Sequence, residues 1–367
     1  MNLQDIFNEL GMGHLINVDI FGKKDSKKDS KIDSKIDDKN EIVTKSDSKF
    51  NSSDSHEVEE SVDEIARRIL GNDERDENAV KKNTIPKYNE QKNDIKKVTP
   101  EIIQNSHADD TENKKDNPPK KIINEENYVF YKTYKCPICS SNIKNLTVKT
   151  GKSRVLSRDW DLRPRYSDVD ALKYDIVHCN YCGYAALTSY FSVLPKAYKD
   201  LVKINICDNY KPMSDDKGVI SYRRAIKKYQ LALLNAIARN AKDSEKAMIC
   251  IKLAWIIRGL LENEEVSNEE KAGFLENEER YLNYARVGFE YALTNEQAPI
   301  AFLDEQTYFI LLASLEMHFN NYNDAIKLLA NVVYSKVASS HQKEKARELV
   351  FEIRDCIRAE KKKKQEN

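Results

Sequence analysis

Four cysteines in two close pairs are the residues whose types and spacing indicate chemistry. The pairs are Cys136-Pro-Ile-Cys139 and Cys179-Asn-Tyr-Cys182. Each Cys-x-x-Cys turn places two sulfurs on one side of a tight loop, and structural Zn²⁺ sites favour four ligands in a tetrahedron. We therefore expect one structural Zn²⁺ site whose ligands are Cys136, Cys139, Cys179 and Cys182, with no coordination position left for a catalytic water.

Two other interpretations of these cysteines remain open. Cys-x-x-Cys is also the motif of dithiol redox sites, although those motifs usually occur singly at the start of a helix. The four residues could also be unrelated core cysteines. His178 precedes Cys179 on a strand, so its side chain is expected on the opposite face, at the surface or behind the ligands. The other cysteines are interpreted as small buried hydrophobic residues; they are Cys207, Cys250 and Cys356.

The elements that must position the two pairs are strands. Residues 128–135 and 174–178 read as strands, and each segment runs directly into a cysteine pair. Gly183 follows the second pair and suits the positive φ that such a turn requires. The pairs are separated by 39 residues, more than the roughly 15–20 of a compact zinc ribbon, so the sequence predicts a folded insertion. Its strands are expected near 146–149 and 154–157.

A helical pattern begins near residue 221 and continues to residue 360. Three segments repeat an Ala, then an aromatic residue or Leu four positions later, then a small residue, as in the second helix of a tetratricopeptide repeat. We expect irregular tetratricopeptide-like stacking, with helices over 245–263, 269–294 and 341–360; the alternative is a plain helical bundle. The three segments are Ala225/Tyr229/Ala232, Ala285/Phe289/Ala292 and Ala325/Leu329/Val332.

The first third of the chain differs in composition from the rest. Residues 23–127 consist largely of Lys, Asp, Ser, Asn and Glu, and such a segment buries too little apolar surface to offset the entropy of ordering. We expect a long disordered arm with two short apolar islands. The island at 2–21 is interpreted as a docking segment, and the island at 58–70 as a transient helix in a solvated tail.

Together these patterns predict an α+β protein: a long disordered N-terminal arm, a small zinc-ribbon-like β module, and an all-α tetratricopeptide-like helical domain. The expected divisions are 1–22 for a short amphipathic segment, 23–127 for an acidic low-complexity linker, 128–213 for the metal-binding module, 214–360 for the helical domain and 361–367 for a basic tail.

The formal net charge of zero hides an uneven distribution. Residues 1–128 carry 22 basic and 29 acidic residues, whereas residues 129–213 carry 14 and 7. A basic module that is rich in aromatic residues could bind a nucleic acid. The side chains available to stack on bases are Tyr128, Tyr131, Tyr134, Trp160, Tyr166, Tyr181 and Tyr184.

The sequence predicts a cytoplasmic protein without a membrane anchor. Asp5 and Glu9 interrupt the first apolar stretch, which also lacks the basic region of a secretory signal. No run approaches the roughly 20 apolar residues that a membrane helix requires. In a reducing compartment, paired cysteine spacings favour metal binding over disulfides.

A longer pattern surrounds the cysteine pairs: Cys-Pro-x-Cys, Arg158-Asp159-x-Asp161, Tyr166, Tyr174, Cys179-x-x-Cys182-Gly183-Tyr184-Ala185 and Phe191. With these features, the segment from Cys136 to Phe191 resembles the bacterial domain of unknown function 2225. Asp168 and Asp170 stand where such sequences more often carry Asn-Pro, so the match is not complete. The resemblance covers the metal module well and the helices loosely, and it implies a metal-binding module joined to helices, with no established activity.

Three functions are consistent with these patterns. The first is a non-enzymatic protein-interaction module, in which the helices bind a protein or peptide partner and Zn²⁺ is structural. The second is nucleic-acid binding through the basic module. The third is an enzyme that uses Arg158, Asp159 and Asp161 beside the metal, although a structural Arg–Asp cluster is the simpler interpretation. The sequence contains no Gly-rich phosphate loop or nucleophile elbow, which favours a non-enzymatic role.

Overall fold

Short strands precede long helices in the part of the chain that the structure describes. The structure is a computed structural model, and it describes residues 68–69, 124–192, 194–214 and 218–366. The predicted combination of a β region with a helical region is therefore confirmed. The strands are β1 Val129–Lys135, β2 Asn142–Val148, β3 Val155–Arg158, β4 Pro164–Tyr166, β5 Ile176–His178 and β6 Ala185–Leu187. The helices are α1 Lys196–Val202, α2 Tyr222–Ala238, α3 Asp243–Asn263, α4 Asn268–Asn295, α5 Glu305–His318, α6 Tyr322–Tyr334 and α7 Ser340–Glu366.

The six strands form three separate antiparallel hairpins. β1 pairs with β2 over seven residues, β3 with β4 across an irregular register, and β5 with β6 over three residues. We expected a single ribbon sheet that carries an insertion. Instead, among the described residues each sheet has two strands. The strands of the third hairpin are only three residues long and fully buried, and this hairpin packs against α2 rather than extending a larger sheet.

Three of the described helices, α2, α4 and α5, begin where a short polar side chain satisfies one of the first free backbone N–H groups. Ser221 accepts from the backbone of Arg224 ahead of α2, and Asp304 accepts from that of Thr307 ahead of α5. Ser267 and Glu270 form a reciprocal capping box at the start of α4. The agreement of α3 with its predicted bounds does not depend on such a cap, because Lys242 ahead of α3 makes no side-chain capping bond.

The three repeated Ala–aromatic segments form the innermost faces of α2, α4 and α6. Each of their nine side chains is at most 1% exposed. Small residues at these positions let paired helices approach closely. Helix α3 packs against both α2 and α4, α5 packs against α6, and α6 packs against α7. The tetratricopeptide-like character of this stacking stays a prediction.

The described structure begins before the predicted module boundary at residue 128. Asn124 caps a 3₁₀ turn, Glu125–Tyr128, that lies inside the segment expected to be disordered. The Glu125 carboxylate accepts from Lys173 Nζ at 2.7 Å and from the Tyr174 hydroxyl at 2.6 Å, and these bonds hold the turn against the module. At the other end, α7 continues to Glu366 through the residues predicted as a basic tail.

Two residues of the N-terminal arm are described, and one of them is buried. Arg68 and Ile69 are helical, Ile69 is 6% exposed, and it belongs to the continuous hydrophobic core. The Arg68 guanidinium lies 5.9 Å from the centre of the Tyr334 ring. The interpretation of 58–70 as a solvated helix is therefore wrong at Ile69. The segment at 1–22 and the rest of the linker up to 123 lie outside the described residues.

None of the described helices combines the length and the apolar character needed to span a bilayer.

Candidate metal centre

Each cysteine pair lies at the tip of a hairpin, in two turns with the same hydrogen-bond pattern. In the first turn, Cys136 N donates to Ser141 O at 2.9 Å and Ser140 N to Cys136 O at 3.0 Å. In the second, Cys179 N donates to Tyr184 O at 2.8 Å and Gly183 N to Cys179 O at 2.9 Å. The strands that run into these turns are β1 and β5, as predicted.

Both turns need a residue in the left-handed region. Gly183 has φ 76°, as expected from the sequence, and its counterpart in the first turn is Ser140 at φ 63°. A Cβ at Gly183 would also collide with the Tyr210 ring, so this glycine is required twice over. The positive φ at Ser140 could not be predicted from the sequence, because that position does not hold a glycine.

The two turns bring all four predicted ligand residues together. Their sulfurs lie within 4.8 Å of one another. Cys136 Sγ is 3.6 Å from Cys182 Sγ, and Cys139 Sγ is 3.6 Å from Cys179 Sγ, so each close contact crosses between the hairpins. None of the described cysteines forms a disulfide. This cluster could hold a metal ion.

Burial and mutual contact make the thiols of the cluster unequal. The contact with Cys179 lowers the pKa of Cys136, but the contact with Cys182 and burial raise it to about 12 overall. Burial raises the pKa of Cys139, whereas hydrogen bonds with Ser141 and Cys179 bring it down to about 7. Cys139 is also the exposed member of the four. A divalent cation would deprotonate all four thiols, because coordinated sulfur is thiolate.

Polar side chains outside the four cysteines fix the second turn. The Tyr210 hydroxyl donates to Asn180 Oδ1 at 2.9 Å and lies 2.8 Å from His178 Nε2. His178 is 6% exposed, so the expectation that it lies behind the ligands holds and the surface alternative does not. Asn235 of α2 donates to Gly183 O at 3.0 Å and thereby ties the turn to the helical region.

A fifth cysteine contacts the cluster. Cys207 ends the π-helical turn Lys203–Cys207 after α1, and the neighbouring Cys182 thiol lowers the pKa of Cys207. It is partly exposed, whereas the sequence interpretation made it a buried hydrophobic residue. Of the other two, Cys250 is buried as expected and Cys356 is partly exposed. No spacing rule connects Cys207 to the pairs, so its position could not be predicted.

The acidic residues of the predicted polar site face the helices instead of the metal. Asp161 is fully buried and accepts from Arg258 Nη2 at 2.9 Å and from Trp255 Nε1 at 2.9 Å, both on α3. Asp159 accepts from Arg165 Nε at 2.6 Å within the hairpin and from Arg258 Nη1 of α3 at 3.5 Å. The two aspartates therefore attach the β3–β4 turn to the helical region. We name these contacts the insertion clamp.

Arg158 does not belong to the insertion clamp. Its guanidinium donates to Leu162 O at 3.4 Å, and it pairs with no carboxylate among the residues that the structure describes. The arginines that do pair are Arg165, Arg163 and Arg258; the first two also contact Glu262 of α3, at 2.5 Å and 3.1 Å. The expected grouping of Arg158 with the two aspartates is wrong, because the strand pleat turns its side chain away from them.

The comparisons with known proteins agree with the resemblance seen in the metal module. The family described as "Uncharacterized protein conserved in bacteria" (DUF2225) matches residues 129–353, more than half of the chain. An uncharacterized protein of Borreliella burgdorferi is 27% identical over 163 residues, which make up 38% of this chain and 57% of that protein. The match thus spans little more than half the length of that relative. No solved structure matches the chain. The family match covers both the cysteine hairpins and the helices, and the chain belongs to this bacterial DUF2225 family.

Proposed function

We propose that this chain is a non-enzymatic protein-interaction module in which Zn²⁺ holds the two hairpin tips together. The sulfur cluster is the observation that carries the structural zinc in this proposal. A Zn–S bond of about 2.3 Å in a tetrahedron places sulfurs about 3.8 Å apart, and the two closest contacts between hairpins are 3.6 Å. Four thiolates fill a zinc tetrahedron and leave no position for a reacting water, so the metal is structural.

The finer architecture follows from the same proposal. The two cysteine hairpins act as a zinc-ribbon-like module and the helices as a tetratricopeptide-like stack. The protein acts in the cytoplasm, where a reducing environment keeps the thiols available for the metal.

The contacts of the aspartates argue against the enzymatic alternative. Asp161 has no exposed surface, and its oxygens accept from Arg258 and Trp255. A general base must be able to reach a substrate. We therefore assign Asp159 and Asp161 a structural role in the insertion clamp.

An open cleft supports the proposal that the partner is a peptide. It has a volume of about 880 Å³, lies between the insertion and helices α3, α5 and α7, and is lined by apolar and aromatic side chains that include Tyr166 and Leu311. Lys252 in its wall is neutralised by Asp175 at 2.6 Å. Arg158 lines the same cleft and has no such carboxylate among the described residues. The chemistry suits an extended peptide with an acidic side chain.

Metal analysis of the full-length protein tests the structural part of the proposal. We expect one zinc per chain, lost when either cysteine pair is replaced by serine, with unfolding of the β region. A structural site contributes on the order of 10–16 kcal/mol to folding, so the loss should be complete. The matched control is Cys356→Ser, which lies on α7 away from the cluster. Zinc retained by both pair variants would refute the site.

Peptide display on the purified protein tests the cleft. We expect selected peptides to carry acidic residues and to lose at least tenfold in affinity with Arg158→Glu. Arg154→Glu is the control, since Arg154 is also exposed on the insertion but does not line the cleft. Equal loss with both variants would indicate a nonspecific charge effect and would count against this partner.

Nucleic-acid binding is a second candidate, favoured by exposed aromatics on the basic module. Tyr131 is 49% exposed and Tyr181 is 71% exposed. Tyr184 is fully buried, however, and Trp160 stacks on His318 at 4.7 Å, so part of the aromatic set serves the core. Stacking contributes about 1–3 kcal/mol per base. Single-stranded DNA should therefore bind at least fivefold more weakly to Tyr181→Ala, with Phe302→Ala as the exposed aromatic control; equal affinities would exclude this function.

A further inference from the structure

The buried position of Ile69 indicates that the N-terminal arm has a binding surface on its own chain. Ile69 is 6% exposed although most of the arm is polar, and Arg68 beside it lies over the ring of Tyr334. In the sequence, four apolar residues precede Ile69 at helical spacing: Val58, Val62, Ile65 and Ala66. Burial of the isoleucine that ends this pattern is expected when an amphipathic helix packs through its apolar face.

The surface around Tyr334 is the exposed end of the helical stack. Tyr334 ends α6, and Val337 follows in the loop to α7; they are 54% and 81% exposed. Terminal repeats of helical stacks need a polar outer face to remain soluble. An amphipathic helix with a charged outer face would provide one.

The charge pattern of the segment favours one direction for such a helix. Tyr322, at the start of α6, bonds to Glu360 near the end of α7 at 3.2 Å, so the two helices run antiparallel. At 1.5 Å per residue, α6 spans about 18 Å, and the interval from Glu59 to Ile69 spans about 15 Å. A helix parallel to α6 with Ile69 beside Tyr334 therefore brings its acidic end towards Lys361–Lys363. The acidic residues are Glu59, Glu60, Asp63 and Glu64.

We propose that residues 58–70 are an intramolecular capping helix for α6 and α7. Ile69 is its apolar anchor, Arg68 contacts Tyr334, and its acidic first two turns lie towards the basic end of α7. The inference does not depend on the metal or on an external partner. It gives the acidic arm a role, which is to cover the terminal face of the helical stack.

Hydrogen exchange of the full-length protein tests the cap. In Ile69→Asp, backbone amides of α6 and α7 should exchange at least tenfold faster than in the wild type. The matched control is Ile95→Asp, which places the same charge in the same arm outside the apolar pattern. Unchanged zinc content and circular dichroism would show that the rest of the fold is intact. Equal exchange in the two variants would overturn the proposal.

A peptide added in trans provides a second readout. A labelled peptide of residues 56–71 should bind Ile69→Asp at least tenfold more tightly than the wild type, because the tethered segment of the wild type competes at high effective concentration. Equal binding to both proteins would also overturn the cap. Light scattering then shows whether the segment binds its own chain or a second copy of the chain. A wild-type dimer that Ile69→Asp converts to a monomer would show that the segment binds a second copy, and the intramolecular form would be rejected.

Discussion

At the scale of single residues, the backbone requirements of the two turns are the same but the side chains that meet them differ. Ser140 and Gly183 occupy equivalent positions, at φ 63° and φ 76°. Left-handed backbone costs an L-residue roughly 1–2 kcal/mol and costs glycine little. The first turn therefore carries strain that the second one avoids.

Opposite substitutions at these positions should have opposite effects. Gly183→Ala should lower the free energy of unfolding by about 1–3 kcal/mol, because φ is positive and Tyr210 fills the space of the new methyl group. Ser140→Gly should raise it by up to about 1 kcal/mol, because strain is removed at some entropic cost. Thermal unfolding of both variants measures the difference. If both destabilise the protein equally, the two turns are not equivalent.

The grouping of the four cysteines could be predicted from the sequence, whereas the residues that support them could not. Spacing alone was enough to group them. The contacts of Tyr210 with His178, and of Cys207 with Cys182, join segments far apart in the chain, and no local pattern encodes them. Local spacing predicts turns, whereas the groups that support a turn depend on the tertiary fold.

At the scale of elements, the helices could be predicted because their apolar residues recur at helical spacing. The periodic apolar face predicted helices over 245–263 and 269–294, and the structure has α3 at Asp243–Asn263 and α4 at Asn268–Asn295. The strands beside the cysteines were predicted as well. The separation into three hairpins was not, because pairing partners depend on which faces the helices cover.

The packing of α4 against α5 contains a pH-sensitive contact. Burial and the neighbouring Glu316 raise the pKa of Glu290 from its ordinary value of 4.5 to about 7. The folded state therefore holds this proton more tightly than the unfolded state. As the pH rises from about 4.5 through 7, the unfolded state releases its proton first, and stability falls until both states are ionised.

Glu290→Gln removes this titration. Its advantage in melting temperature over the wild type should therefore be larger at about pH 8.5 than at about pH 5.5. Calorimetry at the two pH values measures the change. Glu276→Gln on the same helix is the control, because its side chain is 72% exposed and pairs, among the described residues, with Arg280 alone. An advantage that is the same at both pH values would contradict the assigned titration.

At the scale of the whole molecule, the insertion clamp connects the metal region to the helices. Arg258 of α3 binds Asp161 of the insertion and, at 2.7 Å, Glu278 of α4. Removing one partner of a buried ion pair leaves a charge without compensation, which typically costs 3–5 kcal/mol. The clamp was not predicted, because its partners are 97 positions apart in the sequence.

Asp161→Asn keeps the shape of the side chain and removes its charge. We expect the free energy of unfolding to fall by about 3 kcal/mol or more, measured by urea denaturation. Asp200→Asn is the control; Asp200 forms an exposed pair with Lys203, and such pairs contribute about 0–1 kcal/mol. A loss below about 1 kcal/mol for Asp161→Asn would show that the clamp does not support the fold.

The clamp also determines where the chain can be divided. Cutting near residue 213 would leave Asp161 without Arg258 and would strip α2 from the third hairpin, whose strands are fully buried. A zinc-binding fragment that ends there would expose an isolated charge and a bare apolar face, and it should aggregate even when loaded with metal. Useful truncations for biochemistry or crystallisation should therefore keep the hairpins and the helices in one piece.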